Sequence, residues 1–257
     1  MKHIVLGANG RIAKELILRL TLLGIAPIKV SSKLPESIEE IAKIPEEKKL
    51  VIYDFMSASR PRYEGCSTFE DDTRAKILAY GSERIFKYVY VSSAGELYKG
   101  NGMIRSLEDI VNSRLISKYA KRKLEVEKTI VNRFKIAAKV LRVTNVYGGH
   151  FKSKGLGVVD NWLDDKKSGH RPQITAEIDT YRNYIHVDFV IDEIMSDDRI
   201  GSTIVLDTND YFYLSEIYSM IFSQNVSFQK SENVFDLSNI SFRRPAFLGN
   251  YIEKELK

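Results

Sequence analysis

The chain has 257 residues, 44% of them hydrophobic, enough for one large domain or one domain with a small appendage. Thirty-nine basic side chains against 34 acidic ones leave a net charge of +5. Its clusters (Lys118, Lys121-Arg122-Lys123, Lys166-Lys167) are interleaved with Glu125, Glu127, Asp164 and Asp165, which argues against a nucleic-acid partner and fits an anionic small substrate. A single cysteine, Cys66, excludes an internal disulfide, and the longest apolar stretch, Leu16 to Ile28, is broken by Arg19 and Pro27, so the expectation is a cytoplasmic protein with neither leader nor membrane span.

His3–Gly7 is a short apolar run ending in glycine and predicts a buried strand. Arg11–Leu23 carries Ile12, Leu16, Leu20 and Leu23 at helical spacing and stops at Gly24. Pro27–Ser31 predicts a second strand, Ser37–Ile44 a short helix, Leu50–Phe55 a third strand and Thr68–Tyr80 a helix ended by Gly81. Phe86–Ser92 is strongly β-prone, Asn112–Phe134 predicts one long helix, and Ala138–Val143 another strand. Strands alternating with helices predict an α/β fold: a Rossmann-type doubly wound parallel sheet. The expected division is residues 1–150 as a dinucleotide-binding domain and residues 151–257 as a smaller substrate-binding region, partly interleaved with it. In that second part Val158–Lys167 and Leu214–Ser223 read as helices and Thr203–Leu206 as a strand, while Tyr251–Lys257 is too short to assign.

Three stretches carry chemistry. The first is Ile4-Val-Leu-Gly7-Ala-Asn9-Gly10-Arg11-Ile12-Ala13, a glycine turn between a strand and a helix. Such a turn lets backbone approach a pyrophosphate while the helix N-terminus supplies N–H groups and positive dipole. Gly7, Asn9, Gly10, Arg11 and Ile12 are therefore cofactor-binding candidates. An acid at the end of the second strand would bind the ribose 2′-hydroxyl of NAD. The strand ends instead in Ser31-Ser32-Lys33, hydroxyls and a cation that with Arg11 suit a 2′-phosphate, so NADP is favoured over NAD.

The second stretch is Tyr119-Ala-Lys-Arg-Lys123. A Tyr and a Lys four apart share one helix face. The ammonium favours the phenolate, so the phenol can exchange a proton with a hydroxyl while a cofactor takes hydride. The third is Leu141-Arg-Val-Thr-Asn145-Val-Tyr147-Gly148.

In this order the three stretches resemble the extended short-chain dehydrogenase/reductase family, in its NAD-dependent epimerase/dehydratase group acting on nucleotide sugars. Arg182-Asn-Tyr-Ile-His186-Val-Asp188 is similar to that family's Arg-Asp-Phe-Ile-His-Val segment, and Tyr88-Val-Tyr-Val-Ser92-Ser93-Ala-Gly-Glu-Leu-Tyr98 to the strand and loop bearing its catalytic Ser/Thr. The resemblance implies Tyr119 as acid/base and Lys123 as its partner, also holding the nicotinamide ribose. It implies Asn145 and Arg182 on the substrate's phosphates, and a homodimer formed through the Tyr/Lys helix, with Ile116, Leu124, Ile130 and Val131 offering apolar surface. His186 reads as a packed, hydrogen-bonded histidine, and no metal site is expected.

The match departs from the family in three places. Aligning on Leu97-Tyr98 puts Ala94 at the catalytic hydroxyl; a one-residue shift gives Ser93, favoured over Ser92 or no hydroxyl. The stretch between the second strand and Leu50 is short and reads as helix where the family has a further strand. The small residues under the cofactor are replaced by Asp54-Phe55-Met56-Ser57, bulk that would crowd it. The expected function is an NAD(P)-dependent 4-epimerase or 4-keto-sugar reductase; the alternative is a degenerate relative that binds a dinucleotide or a protein partner without turnover.

Overall fold

A computed structural model describes residues 1–31, 37–56, 68–79, 82–98, 102–103, 106–112, 117–151, 157–172, 178–179, 181–224, 229–230, 235–237 and 241–257. Ser32, Lys33 and Cys66 lie outside the described residues. In chain order the elements are β1 (Lys2–Leu6), α1 (Arg11–Leu22), β2 (Ile28–Val30), α2 (Ser37–Ala42), β3 (Leu50–Asp54), α3 (Thr68–Ala79), β4 (Ile85–Ser93), α4 (Ala94–Leu97) and β5 (Gly102–Met103). There follow α5 (Lys118–Phe134), β6 (Ala138–Val143), β7 (Asn145–Tyr147), α6 (Val158–Lys167), β8 (Ile178–Asp179), β9 (Tyr181–His186) and α7 (Val187–Met195). The chain closes with β10 (Thr203–Thr208), β11 (Tyr211–Tyr213), α8 (Leu214–Phe222), β12 (Gln229–Lys230), β13 (Phe235–Asp236), β14 (Ser241–Arg244) and α9 (Leu248–Leu256).

Two compact units share this chain. Unit 1 comprises Met1–Ser93, Ser117–Arg142 and Ile191–Ile204. Its sheet runs in the order β6–β4–β3–β1–β2, with the first residues of β10 next to β6. β1 pairs in parallel with β2 and β3, and β3 with β4. All residues of β3 and β6 are buried, as a parallel sheet covered on both faces requires. The core is built from Ile4, Leu6, Val30, Ile52, Tyr88 and Phe134 with their neighbours. At the starts of β4 and β6 stand two buried lysines. Lys87 Nζ donates to Met195 O, Ser196 O and Asp197 Oδ1; Lys139 Nζ donates to Glu193 O and Ser196 O and pairs with Glu193 Oε1 at 2.8 Å. They satisfy carbonyls that the end of α7 leaves without helical partners.

Unit 2 comprises Ala94–Ile116, Val143–Val190 and Val205–Lys257. β7 pairs in parallel with β9, β9 antiparallel with β11, and the later residues of β10 in parallel with β14. Helices α6, α8 and α9 enclose Trp162, Tyr218, Phe222, Leu248 and Ile252. Asn183 of β9 is fully buried and satisfied: its Oδ1 accepts from Thr144 Oγ1 at 2.7 Å and its Nδ2 donates to Thr208 O at 2.7 Å.

Three expectations are corrected. The helix expected from Asn112 begins at Lys118, because Ser117 Oγ accepts the Ala120 N–H at 3.1 Å and closes the first turn; 107–112 form a separate 3₁₀ segment and 113–116 lie outside the described residues. The unassigned tail belongs to α9, whose first N–H groups, from Phe247 and Leu248, are taken by Asp210 Oδ2 at 2.7 and 2.9 Å. Ile130, expected on the surface, is 2% exposed within the unit 1 core; Val131 is 40% exposed. Among the described residues no helix is long and apolar enough to cross a membrane.

Candidate active site

The glycine turn follows β1 as its sequence demands. Gly7 has φ +74°, and a Cβ there would stand 3.0 Å from Phe55 C and 3.1 Å from Met56 N, so only glycine fits between β1 and the end of β3. Its N–H and that of Ala8 donate to Val30 O, and Gly10 N donates to Gly7 O at 2.9 Å, which folds the turn back onto β2. Gly10 is the N-cap of α1, with no side-chain cap and no acid in the first turn. The first turn of α1 thus takes no side-chain cap from its N-cap residue, and a helix N-terminus of that kind suits a pyrophosphate. The residues present fit a dinucleotide at this turn. Ser31, at the end of β2, is buried; Ser32 and Lys33 lie outside the described residues.

Tyr119 and Lys123 lie in the first turns of α5, in the same unit. Tyr119 is half-buried. Lys123 is 5% exposed: its Nζ donates to Val91 O at 2.9 Å, stands 4.8 Å from the Tyr90 ring centroid and 5.8 Å from that of Tyr119. Ser93 is half-buried as the last residue of β4. Ser92, pointing the other way along the strand, is 3% exposed and its Oγ has no hydrogen-bond partner. Ala94 is fully buried and opens α4, so the position aligned on Tyr98 carries no hydroxyl.

Of the four residues expected to crowd the cofactor at the end of β3, two turn into the core; Phe55 is half-buried and Ser57 lies outside the described residues. Met56 is 3% exposed and packs into the unit 1 core, and Asp54 is fully buried. Asp54 accepts Arg74 Nε at 2.8 Å, Arg74 Nη2 at 3.2 Å, Tyr88 OH at 2.9 Å and Met56 N at 2.9 Å, while Arg74 Nη2 also donates to Met56 O at 2.8 Å. Burial and the Asp54 carboxylate raise the Tyr88 hydroxyl far above its usual value. This network was missed at the level of sequence. The signal was there: a carboxylate closing a wholly buried strand needs a cation, and Arg74 is the residue of α3 that reaches it.

In unit 2, Asn145 is half-buried and its Nδ2 donates to Asn183 O at 2.9 Å, part of the β7–β9 pairing. Arg182 is half-buried on β9. His186 is a packed histidine, with Nδ1 accepting the Asp188 N–H at 3.3 Å and the ring centroid 5.3 Å from those of Tyr147, Phe247 and Tyr251. Gly148, at φ +78°, is fixed by that ring: a Cβ would lie 2.2 Å from His186 Nε2.

The NAD dependent epimerase/dehydratase family model matches residues 73–195, from α3 to the end of α7. Solved structures with the same fold include UDP-glucose 4-epimerase from Thermotoga maritima with UDP-glucose, 17% identical, covering 91% of this chain and 86% of that one at a TM-score of 0.71. UDP-glucuronic acid 4-epimerase from Bacillus cereus, in complex with UDP-glucuronic acid and NAD, is 16% identical over 99% of this chain and 98% of that one, TM-score 0.67. A dTDP-glucose 4,6-dehydratase from Bacillus anthracis in complex with NAD is 16% identical over 100% and 90%, TM-score 0.65. No curated protein matches the sequence. The central segments of the chain, residues 73–195, thus match the NAD dependent epimerase/dehydratase family model, and the chain shares the Rossmann-type fold of these nucleotide-sugar enzymes.

Proposed function

We propose that the protein is an NAD(P)-dependent oxidoreductase or epimerase acting on a hydroxyl or keto group of a nucleotide-linked sugar, as a 4-epimerase or 4-keto-sugar reductase. The observation that carries the reading is Tyr119 above Lys123 at the start of α5, in one unit with an uncapped glycine turn. The family-model match over residues 73–195 and the nucleotide-sugar enzymes that share its fold support it.

Tyr119 as phenolate takes the proton of the sugar hydroxyl and returns it when the carbonyl is reduced. Its place in the first turn of α5 and the Lys123 ammonium both favour the phenolate. Ser93 donates a hydrogen bond to the reacting oxygen. Gly7, Asn9, Gly10, Arg11 and Ile12 hold the dinucleotide, with Ser31, Ser32 and Lys33 turning the preference towards NADP. Asn145 and Arg182 hold the substrate's phosphates, for which a guanidinium fork is suited. The bound dinucleotide supplies hydride transfer. The functional unit of this reading is a homodimer.

Calorimetric titration of NADPH and NADH on wild type and Gly10→Trp is the test, followed by a nucleotide-sugar screen. At Gly10 even a Cβ would press on Gly7 O at 3.3 Å, so an indole there is placed against the turn itself. Binding to wild type, lost in Gly10→Trp and tighter for NADPH, is the expected result. No binding of either by cofactor-free protein overturns the enzyme reading.

A further inference from the structure

Lys123 is seated on Tyr90 and Val91, consecutive residues of β4. Tyr90 is 1% exposed, its ring 4.8 Å from the ammonium, and the Val91 carbonyl accepts from that ammonium at 2.9 Å. Burial by itself drives a lysine towards its neutral form; a ring face and a carbonyl oppose that by stabilising the charge. A second cation shares the ring: Arg74 Cζ stands 5.7 Å from the same centroid. It competes for the ring and repels the ammonium, and Asp54 offsets it with its double hydrogen bond. Among the described residues, the other titratable groups acting on this ring include Tyr119 and Glu127 on α5 and Tyr88 on β4, with Glu127 held at 2.6 Å by Arg142 of β6.

We propose that Tyr90 is a positioning residue for Lys123, its ring seating the ammonium beside Tyr119 while the Asp54–Arg74 pair sets how much of the ring that ammonium retains. The proposal rests on the reading of Lys123 as the partner of Tyr119. Removing the ring leaves Lys123 less readily charged and less able to favour the Tyr119 phenolate.

The experiment follows the Cε resonance of Lys123 in ¹³C-lysine-labelled protein against pH, without substrate, with Lys123→Met assigning the signal. Tyr90→Leu is expected to lower the Lys123 midpoint by about one pH unit and Tyr90→Phe to leave it in place. Substituting a pentafluorinated ring at position 90 keeps the shape and reverses the ring's electrostatics, so it is expected to lower the midpoint as well, even should Tyr90→Leu fail to fold. In turnover, Tyr90→Leu is expected to reduce kcat about tenfold and bring the basic limb of its pH profile down, while Tyr90→Phe matches wild type. A midpoint that stays put with the fluorinated ring overturns the seating, whatever the turnover. A midpoint that falls in a protein turning over no nucleotide sugar supports the seating and overturns the enzyme reading.

Discussion

Where the parallel strands of unit 1 finish, the chain places Gly7, Ser31, Asp54 and Ser93; where they begin, it places His3, Lys87 and Lys139. Both ends hold charge in a buried setting, but differently. At the beginning, each lysine has three oxygen partners, most of them carbonyls at the end of α7, and Glu193 is gripped by Lys139 and by Arg199 Nη2 at 2.8 Å. Both lysine ammoniums there are committed. At the finish, Tyr119 and Ser93 are only half-buried and Ser92 keeps an unpartnered hydroxyl. Groups that must change partners during a reaction need that latitude, while groups that tie a helix to a sheet do not.

The largest test of this contrast is Tyr119→Phe. Removing one hydroxyl at the finishing end is expected to lower kcat by about 10²–10⁴-fold while urea-unfolding free energy stays within about 0.5 kcal/mol of wild type. A variant that keeps its turnover removes Tyr119 from the chemistry. Lys139→Met inverts the pattern. Glu193 would be left buried, with both of its side-chain oxygens previously in ion pairs and one of them now stripped; Glu193 O would lose the Lys139 donor, and Ser196 O would keep only Lys87. Urea unfolding is expected to show a loss of about 3–5 kcal/mol, a large share of a typical domain's stability, with dinucleotide affinity of the folded protein unchanged. A stable Lys139→Met would mean that the beginning end is no more committed than the finishing one.

The finishing end was far more legible in the sequence. Strand β1, its glycine turn and the apolar stripe of α1 are local patterns, and the Tyr–Lys spacing is local too; each shows within a dozen residues. What escaped depends on partners distant in the chain. Asp210 caps α9 from 37 residues away, and Arg74 meets Asp54 across 20. The long helix was extended to Asn112 because apolar periodicity says nothing of where a hydroxyl stops it; Ser117 decides that. Ile130 read as surface because one helix face cannot be told from another until the sheet beneath is in place. The two buried lysines went unread, since nothing near Lys87 or Lys139 in sequence announces the carbonyls of α7.

The smallest test sits beside those lysines. His3 Nδ1 lies 3.2 Å from Tyr53 OH, and the two rings stack at 5.9 Å. Burial first, then the N-terminal amine and Lys87, depress the His3 pKa below its usual 6.5, with Asp197 pulling weakly the other way. Between the depressed folded value and 6.5, the unfolded chain binds more protons than the folded one, so stability rises with pH across that window. The contribution is fully present above 6.5 and is lost as pH falls through the folded value. Because the ring is only half-buried, the effect is a modest slope rather than a transition. His3→Gln keeps a polar group near Tyr53 and removes the titration, so the drop in Tm between about pH 7 and about pH 5 is expected to shrink. An undiminished drop would assign the acid sensitivity to groups other than His3.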